Sequence, residues 1–149
     1  MRLAVTRRAG LAVRAVTVLA PTGSRWKAGD LARELDSTPG FVSQTLNPLV
    51  KAGWVRSVPG PTGGYELTAA ADGLSALDVI EAVDGPTATG DCVLENRPCQ
   101  AADSCVLHEA WRAARAVLTR ALADVPATRC PPNLLPATTS PTPGPTQEP

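Results

Sequence analysis

DSTPGFVSQTLNPLVKAGWVRSVPGPTGGYEL, residues 36–67, decides the fold. It begins with helix-start chemistry: Ser37 or Thr38 caps, and Pro39 suits the first helical position. The helix that follows runs from about Gly40 to Lys51. Val42, Leu46, Leu49 and Val50 recur at i, i+4, i+7 and i+8 on its buried side, and Ser43, Gln44, Asn47 and Lys51 occupy the opposite face. Just upstream, after a turn at PTGSRWK, a short helix over 28–35 places Leu31 and Leu35 one turn apart. Two helices joined by a few residues, the second capped and polar outside, make a helix-turn-helix. AGWVRSVPGPTGGYEL then reads as strand, glycine-rich turn and strand, with Trp54 and Val55 before the turn and Tyr65 and Leu67 after it. A hairpin directly behind a candidate recognition helix is the wing of a winged helix. Gly60, Gly63 and Gly64 are expected to let the backbone turn tightly and approach a phosphate or a minor groove. Pro48 sits badly in this scheme, because an interior proline removes a ladder bond and costs about 3 kcal/mol. A kink is expected there, with no function attached.

Upstream of this stretch, Ala12, Ala15, Val16 and Leu19 fall on one face of an amphipathic helix. TRRAGLAV resembles an export signal superficially, but Arg14 interrupts the apolar run, so a helix of the mature protein is expected. No segment reaches the roughly 18–20 apolar residues of a membrane span, and a cytoplasmic location is expected. The 149-residue chain is neutral in sum, which hides an uneven distribution. Residues 1–60 hold nine Arg/Lys (Arg2, Arg7, Arg8, Arg14, Arg25, Lys27, Arg33, Lys51, Arg56) against three acids, Asp30, Glu34 and Asp36. That half is +6 and the remainder −6, a pattern associated with nucleic-acid contact, although a solvated face gives the same signal. Alanine and valine supply much of the apolar content and aromatics are scarce, so a monomer is marginal and burial across a dimer interface is favoured.

Downstream, LSALDVIEAVDGP is a further helix. Ser75 and Asp78 resemble a capping box, Leu77 and Ile80 are expected to face inward, and Gly85-Pro86 ends it. A long helix from about Val106 to Ala123 carries an apolar stripe of Leu107, Ala110, Trp111, Ala114, Val117, Leu118, Ala121 and Leu122. Glu109, Arg112, Arg115 and Arg120 lie off the stripe, whose length points to a dimer-forming helix. Eight of the 24 residues from Pro126 on are proline, too little apolar surface to offset ordering, so that tail is expected to be disordered. The expected organisation is mainly α with a small β-hairpin wing: a winged helix-turn-helix over 1–70 and a connecting helix over 71–91. A cysteine loop over 92–105, a dimerisation helix over 106–125 and the tail over 126–149 complete it.

Between the last two helices, Cys92, Cys99, Cys105 and His108, the only histidine, fall within 17 residues. A reducing compartment disfavours disulfides. Zinc accepts three cysteines and a histidine, but structural zinc normally relies on closely spaced cysteine pairs, which are missing here. The looser C-x6-C-x5-C-x2-H spacing suits an iron–sulfur cluster, whose usual ligands are thiolates. Cys105 and His108 are three apart at a helix start and can point the same way. Cys130, in the tail, reads as a bystander thiol.

This order of elements resembles the Rrf-two family of bacterial iron–sulfur transcriptional regulators. The resemblance rests on Met1-Arg2-Leu3, Phe41-Val42-Ser43-Gln44, Ala52-Gly53-Trp54-Val55, Gly60-Pro61-Thr62-Gly63-Gly64-Tyr65, Ala82-Val83-Asp84 and Cys105 through Trp111, and covers about residues 1–125. It implies a homodimer bound to a double-stranded DNA operator, with one two-iron or four-iron cluster per subunit held by three cysteines and a fourth ligand. In the NsrR-like branch that fourth ligand is an acid near the start of the partner's first helix; Gly10 stands there here, and no acid precedes Asp30. In the IscR-like branch it is a histidine just after the third cysteine, the place of His108. Two departures matter: Pro59 replaces a wing arginine, and Ser43 replaces a recognition-helix glutamate, so the operator sequence does not carry over.

The expected function is therefore transcriptional regulation under control of a cluster that senses nitric oxide, redox state or iron–sulfur status. Thr38, Phe41, Ser43, Gln44 and Asn47 are the expected base readers. Lys51, Arg56 and the wing residues Thr62, Gly63 and Gly64 are placed at the backbone or minor groove. The alternatives are the same scaffold with zinc or a metal-free thiol site, and an iron–sulfur electron carrier. Catalysis is not expected, since one histidine and no nucleophile–base pairing supply no machinery for it.

Overall fold

The computed structural model of the protein describes residues 4–21, 25–94, 97–98 and 105–129. Five helices and one hairpin make up the fold: α1 (Arg7–Leu19), α2 (Ala28–Glu34), α3 (Pro39–Lys51), β1 (Val55–Val58), β2 (Gly64–Leu67), α4 (Ala76–Asp84) and α5 (His108–Ala123). The winged helix-turn-helix is thus present, and α1 lies at its centre. Its buried residues are Ala9, Leu11, Ala12, Val13, Ala15, Val16, Val18 and Leu19, more than the single face expected, because α3, α4, β2 and a terminal turn all pack on it. Thr6 caps the helix, accepting from Ala9 N at 3.0 Å, while its hydroxyl donates to the Asp84 carboxylate at 2.8 Å. The first helix is thereby fastened to the end of α4.

Leu31 and Leu35 are buried against Val42, Leu46 and Leu49, the expected meeting of α2 and α3. Burial of each such leucine contributes on the order of 2 kcal/mol. Asp36, at φ +49°, adopts the left-handed conformation that ends α2, and Ser37 N donates to Ala32 O at 2.8 Å. A short polar side chain tolerates that conformation better than most. Thr38 is the cap of α3, accepting from Phe41 N at 3.3 Å, and Pro39 opens the helix.

Pro48 interrupts only the hydrogen bonding of α3, which runs through it from Pro39 to Lys51. The carbonyl it deprives of an N–H donor is that of Gln44, four residues back. Arg8, from α1, reaches across and donates Nη2 to Gln44 O at 3.3 Å. Arg7 beside it stacks its guanidinium over the Phe41 ring, 5.4 Å from the centroid. The proline thus opens a position on the recognition helix that the first helix fills.

β1 and β2 pair antiparallel with Val55 opposite Leu67, Arg56 opposite Glu66 and Ser57 opposite Tyr65. The hairpin is wider than its two strands: Trp26 N donates to Tyr65 O at 2.9 Å and Tyr65 N to Trp26 O at 2.8 Å. The expected turn before α2 therefore supplies a third edge to the wing, with residues 22–24 outside the described residues.

Three expectations change. The buried residues of α4 are Ala76, Val79 and Val83; Ile80 packs against the core half-buried, as expected, whereas Leu77 is half-buried outside it. Asp78, Glu81 and Asp84, spaced three apart, mark the outer face of this helix, and Leu77 falls among them. The helix is also no mere connector, since Val79 and Val83 belong to the same core as α1. The capping box of Ser75 and Asp78 and the stop at Gly85 (φ +91°) are present. Residues 126–129 are placed, contrary to a tail beginning at Pro126: Ala127 is buried, Ala76 N donates to Val125 O at 2.7 Å, and Thr17 Oγ1 donates to Ala127 O at 3.0 Å. A threonine on α1 and an alanine small enough to fit against it hold that turn. The remaining tail and Cys130 lie outside the described residues.

Replacing Pro48 with alanine restores a donor to Gln44 O and is expected to stabilise the fold by about 1–3 kcal/mol. Arg8→Ala should cost about 0.5–1.5 kcal/mol in the natural chain and clearly less beside Pro48→Ala. Urea unfolding of the two single variants and the double variant measures the coupling; equal costs of Arg8→Ala in both backgrounds disprove the exchange.

Candidate nucleic-acid interface and cysteine cavity

Gln44, Asn47 and Lys51 are exposed at i, i+3 and i+7 of α3 and form one polar face. The other expected readers are more committed. Thr38, although exposed, uses its hydroxyl to cap α3. Phe41 is half-buried with Arg7 over its ring. Ser43 Oγ donates to Pro39 O at 2.9 Å and accepts from Tyr65 Oη at 3.0 Å, so this residue ties the wing to the first turn of the recognition helix. That contact was illegible in the sequence, where 22 positions separate the two residues.

In the wing, Thr62 is exposed, whereas Gly63 is buried and Gly64 half-buried. A Cβ on Gly63 would lie 2.0 Å from Val58 O, and one on Gly64 (φ +150°) 2.3 Å from Trp26 O. The two glycines therefore serve close backbone approach within the wing. Arg56 is exposed and pairs with Glu66, which also binds Arg25 Nε at 2.8 Å. The two guanidiniums hold the Glu66 carboxyl below the usual carboxylate range through their hydrogen bonds, Arg25 foremost. Arg33 pairs with Asp30. Lys27 and Lys51 stand exposed without an ion pair among the described residues.

The cysteine region forms a second site. Cys92, Cys105 and His108 line one cavity of about 400 Å³, together with Asp91, Trp111 and Arg115. A short turn shapes its loop side: Cys92 N donates to Arg97 O at 2.9 Å, and Leu94 N approaches Cys92 Sγ at 3.4 Å. On the helix side His108 N donates to Cys105 O at 3.0 Å, where a turn at Val106–Leu107 delays the start of α5 to His108. Three of the four expected ligands thus border one cavity, while Cys99 lies outside the described residues. Among the described residues no three acidic, cysteine or histidine side chains are close enough to hold a metal ion.

Arg115, expected off the buried stripe, lines this cavity half-buried. Its neighbour Arg112 is engaged by Glu109 at 2.7 Å, and that contact lowers the Glu109 carboxyl. The inner row of α5 is His108, Trp111, Arg115, Thr119 and Leu122, none of them fully buried. Of the expected apolar stripe, Leu107, Ala110, Ala114, Val117, Leu118 and Ala121 are exposed, Val117 to 71%. No helix among the described residues is long and apolar enough to cross a membrane.

The sequence pattern of the Rrf2 (Rrf-two) family, described as iron-dependent transcriptional regulator, matches residues 5–126. Rv1287 of Mycobacterium tuberculosis, named as an HTH-type transcriptional regulator, is 34% identical over 123 residues, covering 80% of this chain and 76% of that protein. The HTH-type transcriptional regulator IscR of Vibrio atlanticus is 32% identical over 96 residues, covering 64% of this chain and 55% of its own length. Among solved structures, CymR of B. subtilis, titled the global cysteine regulator, superposes with a TM-score of 0.68 at 21% identity, over 85% of this chain and 94% of that one. T. potens IscR gives 0.66 at 21% identity, over 84% and 83%. These structures share the fold.

Because Glu66 is anionic in a doubly cationic setting, its share of wing stability is complete above the ordinary glutamate pKa of about 4.3 and drains as pH falls through its lower folded value. Carboxylate NMR of a labelled sample is expected to show Glu66 titrating below that reference. Arg25→Gln and Arg56→Gln should each move its midpoint upward. A midpoint at the free-glutamate value in the natural chain contradicts the bonding described.

Proposed function

Because the chain belongs to the Rrf2 family of transcriptional regulators, we propose that it acts as a homodimer on operator DNA under the control of an iron–sulfur cluster. Gln44 and Asn47 read base edges in the major groove, with Thr38, Phe41 and Ser43 at the leading end of the helix. Lys51, Arg56, Thr62 and the Gly63-Gly64 wing lie at the backbone and minor groove. Cys92, Cys99, Cys105 and His108 are the proposed cluster ligands.

The observation that carries this reading is that Cys92, Cys105 and His108 line one and the same cavity. Two thiols and an imidazole, with a third thiol between them in sequence, fit a cluster's preference for soft donors. When bound, the group supplies redox chemistry and ligand exchange at iron, responsive to nitric oxide or oxygen. The chain's own part is mechanical. Cys92 anchors one end of the loop, and Cys105 and His108 anchor the other on the first turn of α5. Held together, they order the loop against that helix; released, they let it go. The exposed apolar side of α5 supports a dimer in which the helix sets the spacing of two recognition helices.

A second reading keeps the winged helix and replaces the cluster with zinc or metal-free thiols. It is favoured by the lack, among the described residues, of three donors already gathered for a metal.

Anaerobic isolation separates the readings. The cluster reading expects visible absorbance with iron and acid-labile sulfide, both reduced in Cys92→Ser, and an altered spectrum in His108→Ala. A colourless protein lacking both after reconstitution leaves only the second reading. Gel-shift titration is expected to give different operator affinities for loaded and stripped protein, and equal affinities end the proposed control. For the dimer, Val117→Glu with Leu118→Glu is expected to yield monomers in sedimentation and to weaken operator binding at least tenfold, since a two-site contact becomes a one-site contact.

A further inference from the structure

The wing arranges two cations around one anion. Arg56 on β1, Glu66 on β2 and Arg25 beside the Trp26 edge form a row across three backbone segments. Strand alternation puts this row on the face opposite Ser57 and Tyr65, the latter bonded to Ser43 of α3. The guanidiniums are open, with side chains 41% and 65% exposed, while the carboxylate between them is only 16% exposed. Arg56 lies three residues before the wing turn, which spans 59–63 between the two strands.

A carboxylate accepting from two arginines occupies the same donors that a DNA phosphate uses. We infer that Glu66 is an internal competitor for phosphate, occupying the two wing arginines so that DNA gains them only by displacing it. Ordinary backbone contact supplies non-specific affinity at any sequence, through each phosphate neutralised. A cation already satisfied contributes little to that term. Glu66 therefore suppresses sequence-independent binding, while a duplex pressed firmly against the wing by good base contacts overcomes the competition. This makes Glu66 a specificity-determining residue with no base contact of its own. The inference rests on the proposed DNA binding and adds to it the identity of a residue that weakens it.

The test uses the full-length protein, a duplex of scrambled sequence and fluorescence anisotropy over a range of potassium chloride concentrations. Glu66→Gln retains the shape and removes the charge; matching circular dichroism and melting confirm that it folds. It is expected to tighten binding to the scrambled duplex roughly two- to fivefold, the range of an exposed ion pair released. Its log–log salt slope should steepen by about one for each added phosphate contact. Arg56→Gln placed beside Glu66→Gln is expected to cancel most of the gain, and Arg25→Gln likewise. Unchanged affinity and slope in a folded Glu66→Gln overturn the inference, as does weaker binding, which would mean the carboxylate orients the arginines for phosphate. If the natural chain fails to bind any duplex at low salt, the proposed function falls along with it, an outcome distinct from binding that is indifferent to Glu66.

Discussion

Close approach to α1 is the constraint on which the rest of the molecule depends. Ala9, Ala12, Ala15 and Val16 are essentially inaccessible, and such small side chains let α3 and α4 pack on different sides of one helix. Polar contacts then fix its direction. At its start Thr6 bonds to Asp84 and Arg8 to Gln44 O; near its end Thr17 holds Ala127 O. The recognition helix and the segment leading from Asp84 into the cysteine loop are therefore mounted on one frame. The end of α5 is tied to the same frame, since Ala76 N donates to Val125 O and Ala127 N to Leu74 O.

The charge of the N-terminal half has a different meaning once its partners are known. A surplus of six positive charges reads as a phosphate-binding surface. Yet Arg7 covers Phe41, Arg8 serves Gln44 O, Arg33 pairs with Asp30, and Arg25 and Arg56 share Glu66. Much of that charge is engaged in holding α3 and the wing. Lys27 and Lys51 are the exposed cations left without such pairing among the described residues. Composition measures how much charge a surface has, not how much of it an external phosphate reaches.

The architecture was legible because each of its signals is local. Thr38 and Pro39 start α3, Ser75 and Asp78 start α4, and the spacing of Val42, Leu46 and Leu49 fixes the side that α3 buries. What the sequence withheld depends on pairings distant along the chain. Gly63 and Gly64 read as openings toward DNA, and only the nearness of Val58 O and Trp26 O shows that the wing's own packing also requires them to be glycine. Pro48 did leave a readable clue, since a proline in a helix frees the carbonyl four residues earlier and a donor must be sought for it. Which donor answers is tertiary information. At the cysteines, spacing suggested one shared site, and Cys92, Cys105 and His108 do line one cavity, although among the described residues no three such donors close to metal-binding distance; α5 turns Trp111 and Arg115 toward the same cavity, a placement that no spacing rule gives.

That rotation of α5 bears on regulation. A 16-residue helix with no fully buried residue takes only half-buried contacts from its own domain, chiefly against α4. Its inner row of His108, Trp111, Arg115 and Thr119 faces the cavity, while its outer row exposes Leu107, Val117 and Leu118. Order on either side therefore favours order on the other, because both depend on the same backbone being helical. Under the proposed function, a ligand gripped by Cys105 and His108 would stiffen the first turn from inside, and a second copy of the chain would cover the helix from outside. Coupling between cavity and dimer then needs no chain of contacts across the protein, only one weakly held helix that belongs to both.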